Sequence, residues 1–218
     1  LCLQSFPKSH VSPVRSETRV ETRDTPFLIV FAMIAGFLLW QGRDLPLAAE
    51  NGPLENLQIA VLLLAAGVFL DRIARLAARI ETPRAAAALA YSLVLICVPL
   101  IGAARETTFG RNLGLPPRGV TGVEVALSVL TLALLGAALT IWVRKVPDRL
   151  AAFLRLLRSP SSLRIGAAVA VFALSMAFEK GGLGLPRSEV WEEIVELVAF
   201  GLILRAAMLA GDGPARAA

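Results

Sequence analysis

The feature that most constrains this chain is a series of long apolar runs separated by short clusters of charge. Six stretches of 14 to 20 residues carry few charged side chains. A helix of about 20 apolar residues matches the hydrocarbon thickness of a bilayer. With 56% apolar residues, 18% charged residues and a mean hydropathy of +0.68, the chain lacks the polar surface of a water-soluble domain. The pattern predicts an all-α polytopic membrane bundle and excludes soluble enzymes and nucleic-acid-binding proteins.

We predict about six transmembrane helices in one domain, residues 26–210. The spans lie near 26–42, 54–71, 85–104, 123–143, 164–179 and 190–210. The first and fifth apolar runs are the shortest, so these spans need flanking residues to cross a full bilayer. Pro99 lacks a backbone donor, which predicts a kink in the outer half of the third span. Residues 1–25 and 211–218 are predicted to be cytoplasmic tails.

The distribution of basic residues predicts the orientation, because lysine and arginine are retained on the cytoplasmic side of a membrane. With both termini inside, the inner segments hold sixteen of the 22 basic residues and the outer loops hold six. The net charge of +5 then reflects contact with anionic lipid rather than with nucleic acid. Heavy use of alanine, arginine and leucine is typical of bacterial chains. We therefore expect a multipass protein of a bacterial inner membrane.

Two inner segments are predicted to lie among the lipid headgroups. The helix of the second span continues beyond its apolar run with arginines at three- and four-residue spacing. Segment 146–159 combines leucine and phenylalanine with arginine, which is typical of an interfacial amphipathic helix. The residues predicted to contact lipid are Arg72, Arg75, Arg79, Arg149, Arg155 and Arg158. We interpret both segments as basic faces that bind the bilayer, in preference to phosphate-binding sites.

The outer loops share a short sequence. Residues 113–116 and 183–186 both read Leu-Gly-Leu-Pro, and residues 42–46, Gly-Arg-Asp-Leu-Pro, are a weaker match that shares the final Leu-Pro. Each loop leads to glutamate near the beginning of the next span, where a negative charge is favoured by the helix dipole. These glutamates are Glu55, Glu124 and the group Glu192, Glu193 and Glu196. The spans therefore fit an array of three repeated helical hairpins, although matches this short also arise by chance in a chain rich in leucine and glycine.

Acidic residues are concentrated on the outer side, which holds ten of the 17 acids. Several enter apolar runs, where ionisable groups are costly and usually face the bundle interior. The candidate binding residues are Glu55, Gln58, Arg105, Glu106, Glu192, Glu193 and Glu196. We favour a lattice of ion pairs in which Arg43, Arg105 and Arg111 neutralise these glutamates. The alternatives are a cation site, a proton pathway, or acid–base chemistry beside a lipid-borne substrate.

Several catalytic classes are excluded by residues that the sequence lacks. Its one histidine, His10, lies in the predicted tail, so Ser-His-Asp triads and histidine-based zinc sites are not available. Glu192-Glu193 resembles the beginning of the Glu-Glu-x-x-x-Arg motif of membrane-embedded CAAX-type proteases. Leu197 stands where that motif has arginine. No catalytic residue is identified, no metal site is expected, and the sequence names no cofactor.

These observations predict a non-enzymatic accessory or binding protein that acts through helix packing and an outer glutamate/arginine layer. Its expected partners are the lipid bilayer and another membrane protein, and nucleic acid is not among them. The alternative is a small proton- or cation-coupled transporter, or a lipid-acting membrane enzyme, that uses buried glutamates.

Overall fold

The computed structural model describes residues 52–179 and 188–211, and all regular structure in these ranges is helical. The α-helices are α1 (Pro53–Ala77), α2 (Pro83–Leu95), α3 (Cys97–Glu106), α4 (Pro117–Lys145), α5 (Arg149–Leu157), α6 (Pro160–Glu179) and α7 (Ser188–Gly211), with a 3-10 helix at Thr108–Leu113. The predicted span near 26–42 and both predicted tails lie outside the described residues, apart from Gly211 at the end of α7.

Three helical segments of the described chain are long and apolar enough to cross a membrane. They are α1, the segment Pro83–Glu106 formed by α2 and α3, and α4, which coincide with the spans predicted near 54–71, 85–104 and 123–143. Helices α5 and α6 meet the criterion only as one pair bent by 60°. The predicted spans near 164–179 and 190–210 lie in the helices α6 and α7, and within the described residues neither helix by itself is among these candidate spans. The count of six spans is therefore not confirmed.

Proline begins four of the described helices. Pro53, Pro83, Pro117 and Pro160 are the first residues of α1, α2, α4 and α6. A proline at this position costs no hydrogen bond, because the first backbone donors of a helix have no partner within it. At the beginning of α2 the side chain of Thr82 also accepts a hydrogen bond from the backbone nitrogen of Ala85 at 3.2 Å. These residues fix where each connection ends and the next helix begins.

The third predicted span is broken at Ile96, between α2 and α3. Pro99 follows three residues later, cannot donate a backbone hydrogen bond, and its ring would collide with the carbonyl of Leu95 in a straight helix. The interruption lies within one turn before the proline, although Ile96 keeps right-handed helical angles (φ −64°, ψ −24°) and α2 and α3 together form one candidate span. Beyond the break, α3 packs against α1 and ends at Glu106.

The 3-10 helix ends at Leu113, the first residue of the one Leu-Gly-Leu-Pro segment that the structure describes. Gly110 and Gly114 have φ of +91° and +79°, a region that glycine enters without steric cost. A Cβ atom on Gly110 would lie 2.4 Å from a side-chain carbon of Leu115. The two related loops lie outside the described residues, so the array of three repeated hairpins stays a prediction.

The helices pack side by side in the order α6, α7, α1, then α2 with α3, and finally α4. One core cluster joins Leu62 and Ala65 of α1 with Phe200, Ile203 and Leu204 of α7. Helix α4 lies at the edge of this layer. Only 6% of its apolar window is buried, against 61% for the segment formed by α2 and α3. Most of α4 therefore presents an apolar surface to its surroundings.

Helix α5 lies within segment 146–159, which the sequence predicts to be interfacial. Ala152 is buried and packs with Ala86 and Ala87 of α2. Leu150 and Phe153 are exposed, as is Arg155 on the same helix. This mixture of exposed apolar and basic side chains is what an interfacial helix requires, and the placement of α5 in a membrane interface remains a prediction.

Candidate functional site

The candidate residues lie at one end of the helix layer. Glu55 and Gln58 belong to the beginning of α1, Arg105 and Glu106 to the end of α3, and Glu192, Glu193 and Glu196 to the beginning of α7. These helix ends meet because α1 packs against both α3 and α7. Ser175 of α6 also contacts them, through Glu196 of α7. We call the following set the acidic layer: Glu55, Gln58, Arg105, Glu106, Ser175, Glu193 and Glu196.

A buried amide connects α1 to α7. The side chain of Gln58 is fully buried, and its Nε2 donates to Oε2 of Glu193 at 2.7 Å and to the backbone carbonyl of Glu193 at 3.0 Å. Hydrogen bonds to a charged acceptor are stronger than those between neutral groups. The Oε1 atom of Gln58 is buried and has no hydrogen-bond partner among the described residues. Gln58 therefore fixes the register of α1 against α7 through its nitrogen alone.

An ion pair connects α3 to α7. Nη2 of Arg105 lies 3.6 Å from Oε1 of Glu196, whose side chain is 6% exposed, whereas that of Arg105 is 52% exposed. The Oγ of Ser175 lies 3.3 Å from the same Oε1 and 2.7 Å from the carbonyl oxygen of Phe172. The carboxylate of Glu196 therefore lies beside the guanidinium group of Arg105 in α3 and the hydroxyl group of Ser175 in α6.

The guanidinium group of Arg105 also contacts an aromatic ring. Its Cζ lies 5.1 Å from the ring centroid of Phe172 in α6, within the range of a cation–π interaction. The centroid of Phe172 lies 6.1 Å from that of Phe200 in α7. Arg105 therefore contacts both partner helices, which explains how a half-exposed side chain is held in one place.

Four carboxylates share this region. Glu106 is 8% exposed and interacts electrostatically with Glu55, Glu193 and Glu196 as well as with Arg105. Like charges this close repel one another, so their positions depend on the helix contacts and hydrogen bonds around them. The layer is therefore an arrangement that the rest of the fold must hold in place.

The structure brings together six of the seven residues that the sequence singles out. The remaining one, Glu192, is half-buried and interacts electrostatically with Glu193. Of the three arginines expected to neutralise the glutamates, Arg105 pairs with Glu196, Arg111 is exposed, and Arg43 lies outside the described residues. Sequence reasoning missed Ser175 and Phe172. The available signal for Ser175 was a hydroxyl group inside an otherwise apolar run.

Five of the six arginines predicted to contact lipid are exposed, and Arg72 is half-buried. The exposed ones are Arg75, Arg79, Arg149, Arg155 and Arg158. Arg75 pairs with Asp71 on the same helix, and Arg149 donates to the carbonyl of Val143 at 2.7 Å. Arg72 is half-buried and, with Arg155, lines a cavity at the end of the bundle opposite the acidic layer.

Within residues 52–179 and 188–211, no three histidine, cysteine or acidic side chains are grouped so that they could hold a metal ion. Comparisons with known protein families, with curated proteins and with solved structures give no match to this chain. The class of this protein is therefore assigned from its fold and its candidate site. In the ranges that the structure describes, all regular structure is helical, and three helical segments, or four with the bent pair, are long and apolar enough to cross a membrane.

Proposed function

We propose that this protein is a multipass membrane protein without catalytic activity, an accessory or binding subunit that assembles with another membrane protein. The acidic layer holds α1, α3, α6 and α7 in fixed positions, and α4 supplies the surface that the partner contacts. A bacterial inner membrane is the proposed location, with both termini in the cytoplasm.

The observation that carries this proposal is the bonding of the acidic layer across helices. Gln58 binds Glu193, and Glu196 lies beside both Arg105 and Ser175. A general acid or base must reach the proton that it transfers, yet the side chain of Glu196 is only 6% exposed. Polar groups that bind one another between helices stabilise a bundle instead. A structural role therefore accounts for the contacts of this layer.

The surface of α4 has the character of a helix-docking face. Leu132 is 69% exposed and Val129 is 61% exposed. Gly136 has nothing within 4 Å of a Cβ atom built on it, and the exposed Thr140 lies one turn further along. Small residues four positions apart allow another transmembrane helix to approach closely. We therefore propose that the partner contributes an apolar helix.

A photo-crosslinking amino acid tests this surface in the native membrane. At Leu132 and at Val129 it is expected to give an adduct with one and the same partner protein, because both side chains are exposed on α4. At Ala138, which is 3% exposed on the same helix, no adduct with another protein is expected. The products are read by mass spectrometry. Lipid adducts alone at both exposed positions, or adducts only with a second copy of this chain, would refute the accessory role.

The orientation is tested by labelling single cysteines with a membrane-impermeant maleimide. In a variant carrying Cys2→Ser and Cys97→Ala, Arg111→Cys is expected to react from outside intact cells, because it lies in a predicted outer loop. Arg158→Cys is expected to react only after the membrane is opened. Both positions are exposed in the structure, so access does not limit either reaction. A reporter fused after Ala218 should be active in the cytoplasm, and reaction of both cysteines from one side would contradict this topology.

A further inference from the structure

A second polar region lies where α1 and α7 end and α2 and α6 begin. Here α5 lies over a cavity of about 700 Å³. Three basic residues, Arg72, Arg84 and Arg155, line this cavity together with a single acid, Asp148. We call it the basic cavity. In α1, Arg72 lies 17 residues after Glu55, so the basic cavity and the acidic layer are separated by about 25 Å along the helix.

Arg72 contributes a positive charge to the wall of the basic cavity. Its Nε and Nη1 atoms are buried and have no hydrogen-bond partner among the described residues. Because these two donors are enclosed by protein, Arg72 acts on an anion in the cavity through the positive charge of its guanidinium group. Arg84 and Arg155 are exposed on the cavity wall, where they can close around such an anion from α2 and from α5.

An apolar groove adjoins the basic cavity. It has a volume of about 340 Å³ and lies between α2, α4 and α5, with Leu139, Trp142 and Phe153 among its lining residues. Tyr91 and Leu156 line both spaces. The two spaces therefore adjoin each other at these residues, and a ligand with a charged head and an apolar chain could occupy both.

We propose that the basic cavity and the adjoining groove together bind one anionic phospholipid. The phosphate lies among Arg72, Arg84 and Arg155, and an acyl chain lies in the groove beside Trp142. Arginine matches the geometry of phosphate through several parallel hydrogen bonds. The basic end of the bundle also faces the leaflet that is rich in anionic lipid if the basic residues are cytoplasmic. This is a defined site for one lipid molecule, distinct from general contact between exposed arginines and the bilayer.

Trp142 provides a reporter within the groove. In a variant with Trp40→Phe and Trp191→Phe it is the remaining tryptophan, and bromine atoms on a nearby acyl chain quench its fluorescence. The protein is placed in phosphatidylcholine vesicles containing a small fraction of either brominated phosphatidylglycerol or brominated phosphatidylcholine. The anionic lipid is expected to quench Trp142 at a much lower fraction than the zwitterionic lipid, because only the anionic lipid is selected by the basic cavity.

Matched arginine variants locate the selectivity. Arg72→Gln and Arg155→Gln are each expected to reduce the preference for the anionic lipid about fivefold, equivalent to about 1 kcal/mol per arginine. Arg79→Gln and Arg158→Gln are the controls, because these arginines follow α1 and α5 closely but do not line the cavity. Arg155 is exposed, so its substitution tests the site even if Arg72→Gln fails to fold.

Three other results would each overturn the proposal of a phospholipid site. Equal quenching by the two brominated lipids, or equal losses in the cavity variants and their controls, would overturn the proposal in favour of a general basic surface. Inorganic phosphate and glycerol phosphate distinguish a lipid headgroup from a soluble phosphate. Neither is expected to reverse the quenching by phosphatidylglycerol, and complete reversal by either would show that the cavity takes the phosphate group alone.

Discussion

Replacing Arg105 with glutamine is expected to lower the free energy of unfolding by about 2 kcal/mol. The buried carboxylate of Glu196 would lose its ion pair with the half-exposed Arg105, and a buried charge left without its partner is destabilising. The contact between the guanidinium group and Phe172 would be lost as well. Arg105→Gln, Glu196→Gln and the double variant form a cycle in which the coupling energy is measured by unfolding in detergent. The double variant should be less destabilised than the sum of the two single variants.

The exposed ion pair between Lys145 and Glu81 is a matched control for this cycle. Its nitrogen and oxygen atoms are 3.3 Å apart, closer than those of Arg105 and Glu196, but the two side chains are 42% and 84% exposed. Exposed pairs contribute about 0 to 1 kcal/mol. Lys145→Gln should therefore change stability by about 0.5 kcal/mol or less. A loss in Arg105→Gln no larger than that in Lys145→Gln would show that burial of Glu196 has no stabilising consequence.

The same unfolding measurement separates the accessory role from its alternative. A layer whose glutamates only bind neighbouring side chains should unfold at the same temperature with and without divalent cations. Strong stabilisation by a cation, lost in both Glu193→Gln and Glu196→Gln, would mean that the layer binds an ion. That result would favour a cation-coupled transporter or a lipid-acting membrane enzyme over the proposed accessory subunit.

Hydropathy could locate the helices of this chain because it depends on local sequence alone. The runs within 54–71, 85–104 and 123–143 each lie in a helical segment with the length and composition of a span. The break near Pro99 was also predictable, since it follows from a missing backbone donor. The fifth run was located as well, because it lies in α6 (Pro160–Glu179), which is joined to α5 by a 60° bend next to Pro160.

The acidic layer could be predicted as a set of residues but not as a set of pairs. The position of Glu55, Glu106 and Glu193 at span ends indicates that they share one side of the membrane. Which arginine meets which glutamate depends on the rotation of each helix about its axis. Ser175 and Phe172 contact the layer only because α6 presents one particular face to α7.

The lipid-contact arginines show the same limit. Regular spacing predicts Arg72, Arg75 and Arg79 on one side of a single helix. In the structure α1 ends at Ala77, so Arg79 lies beyond the helix, and Arg72 turns toward the basic cavity while Arg75 is exposed. The cavity itself is formed by the ends of several helices that are distant in sequence, which no local pattern can indicate.

The second large effect is expected where Gly102 of α3 packs against Leu62 of α1. A Cβ atom on Gly102 would lie 3.2 Å and 3.3 Å from the two terminal carbons of Leu62. Leu62 is fully buried in the core between α1 and α7, so it has little room to move. Gly102→Leu is therefore expected to destabilise the protein by about 2 to 3 kcal/mol through overpacking. Gly102 also lies one turn before Arg105. A leucine that pushes the end of α3 away from α1 should therefore move Arg105 and weaken its contacts in the acidic layer.

Two other helical glycines separate overpacking from the general effect of a larger residue. Gly67 of α1 and Gly136 of α4 have nothing within 4 Å of an added Cβ atom, and leucine is a better helix former than glycine by up to about 1 kcal/mol. Gly67→Leu and Gly136→Leu should therefore be neutral or slightly stabilising in the same unfolding measurement.

If displacement of α3 weakens the acidic layer, Arg105→Gln should lower the stability by less in the Gly102→Leu background than in the native protein. Full additivity of these two changes would show that the end of α3 keeps its place, and stability of Gly102→Leu equal to that of the two controls would refute the close packing of α3 on α1.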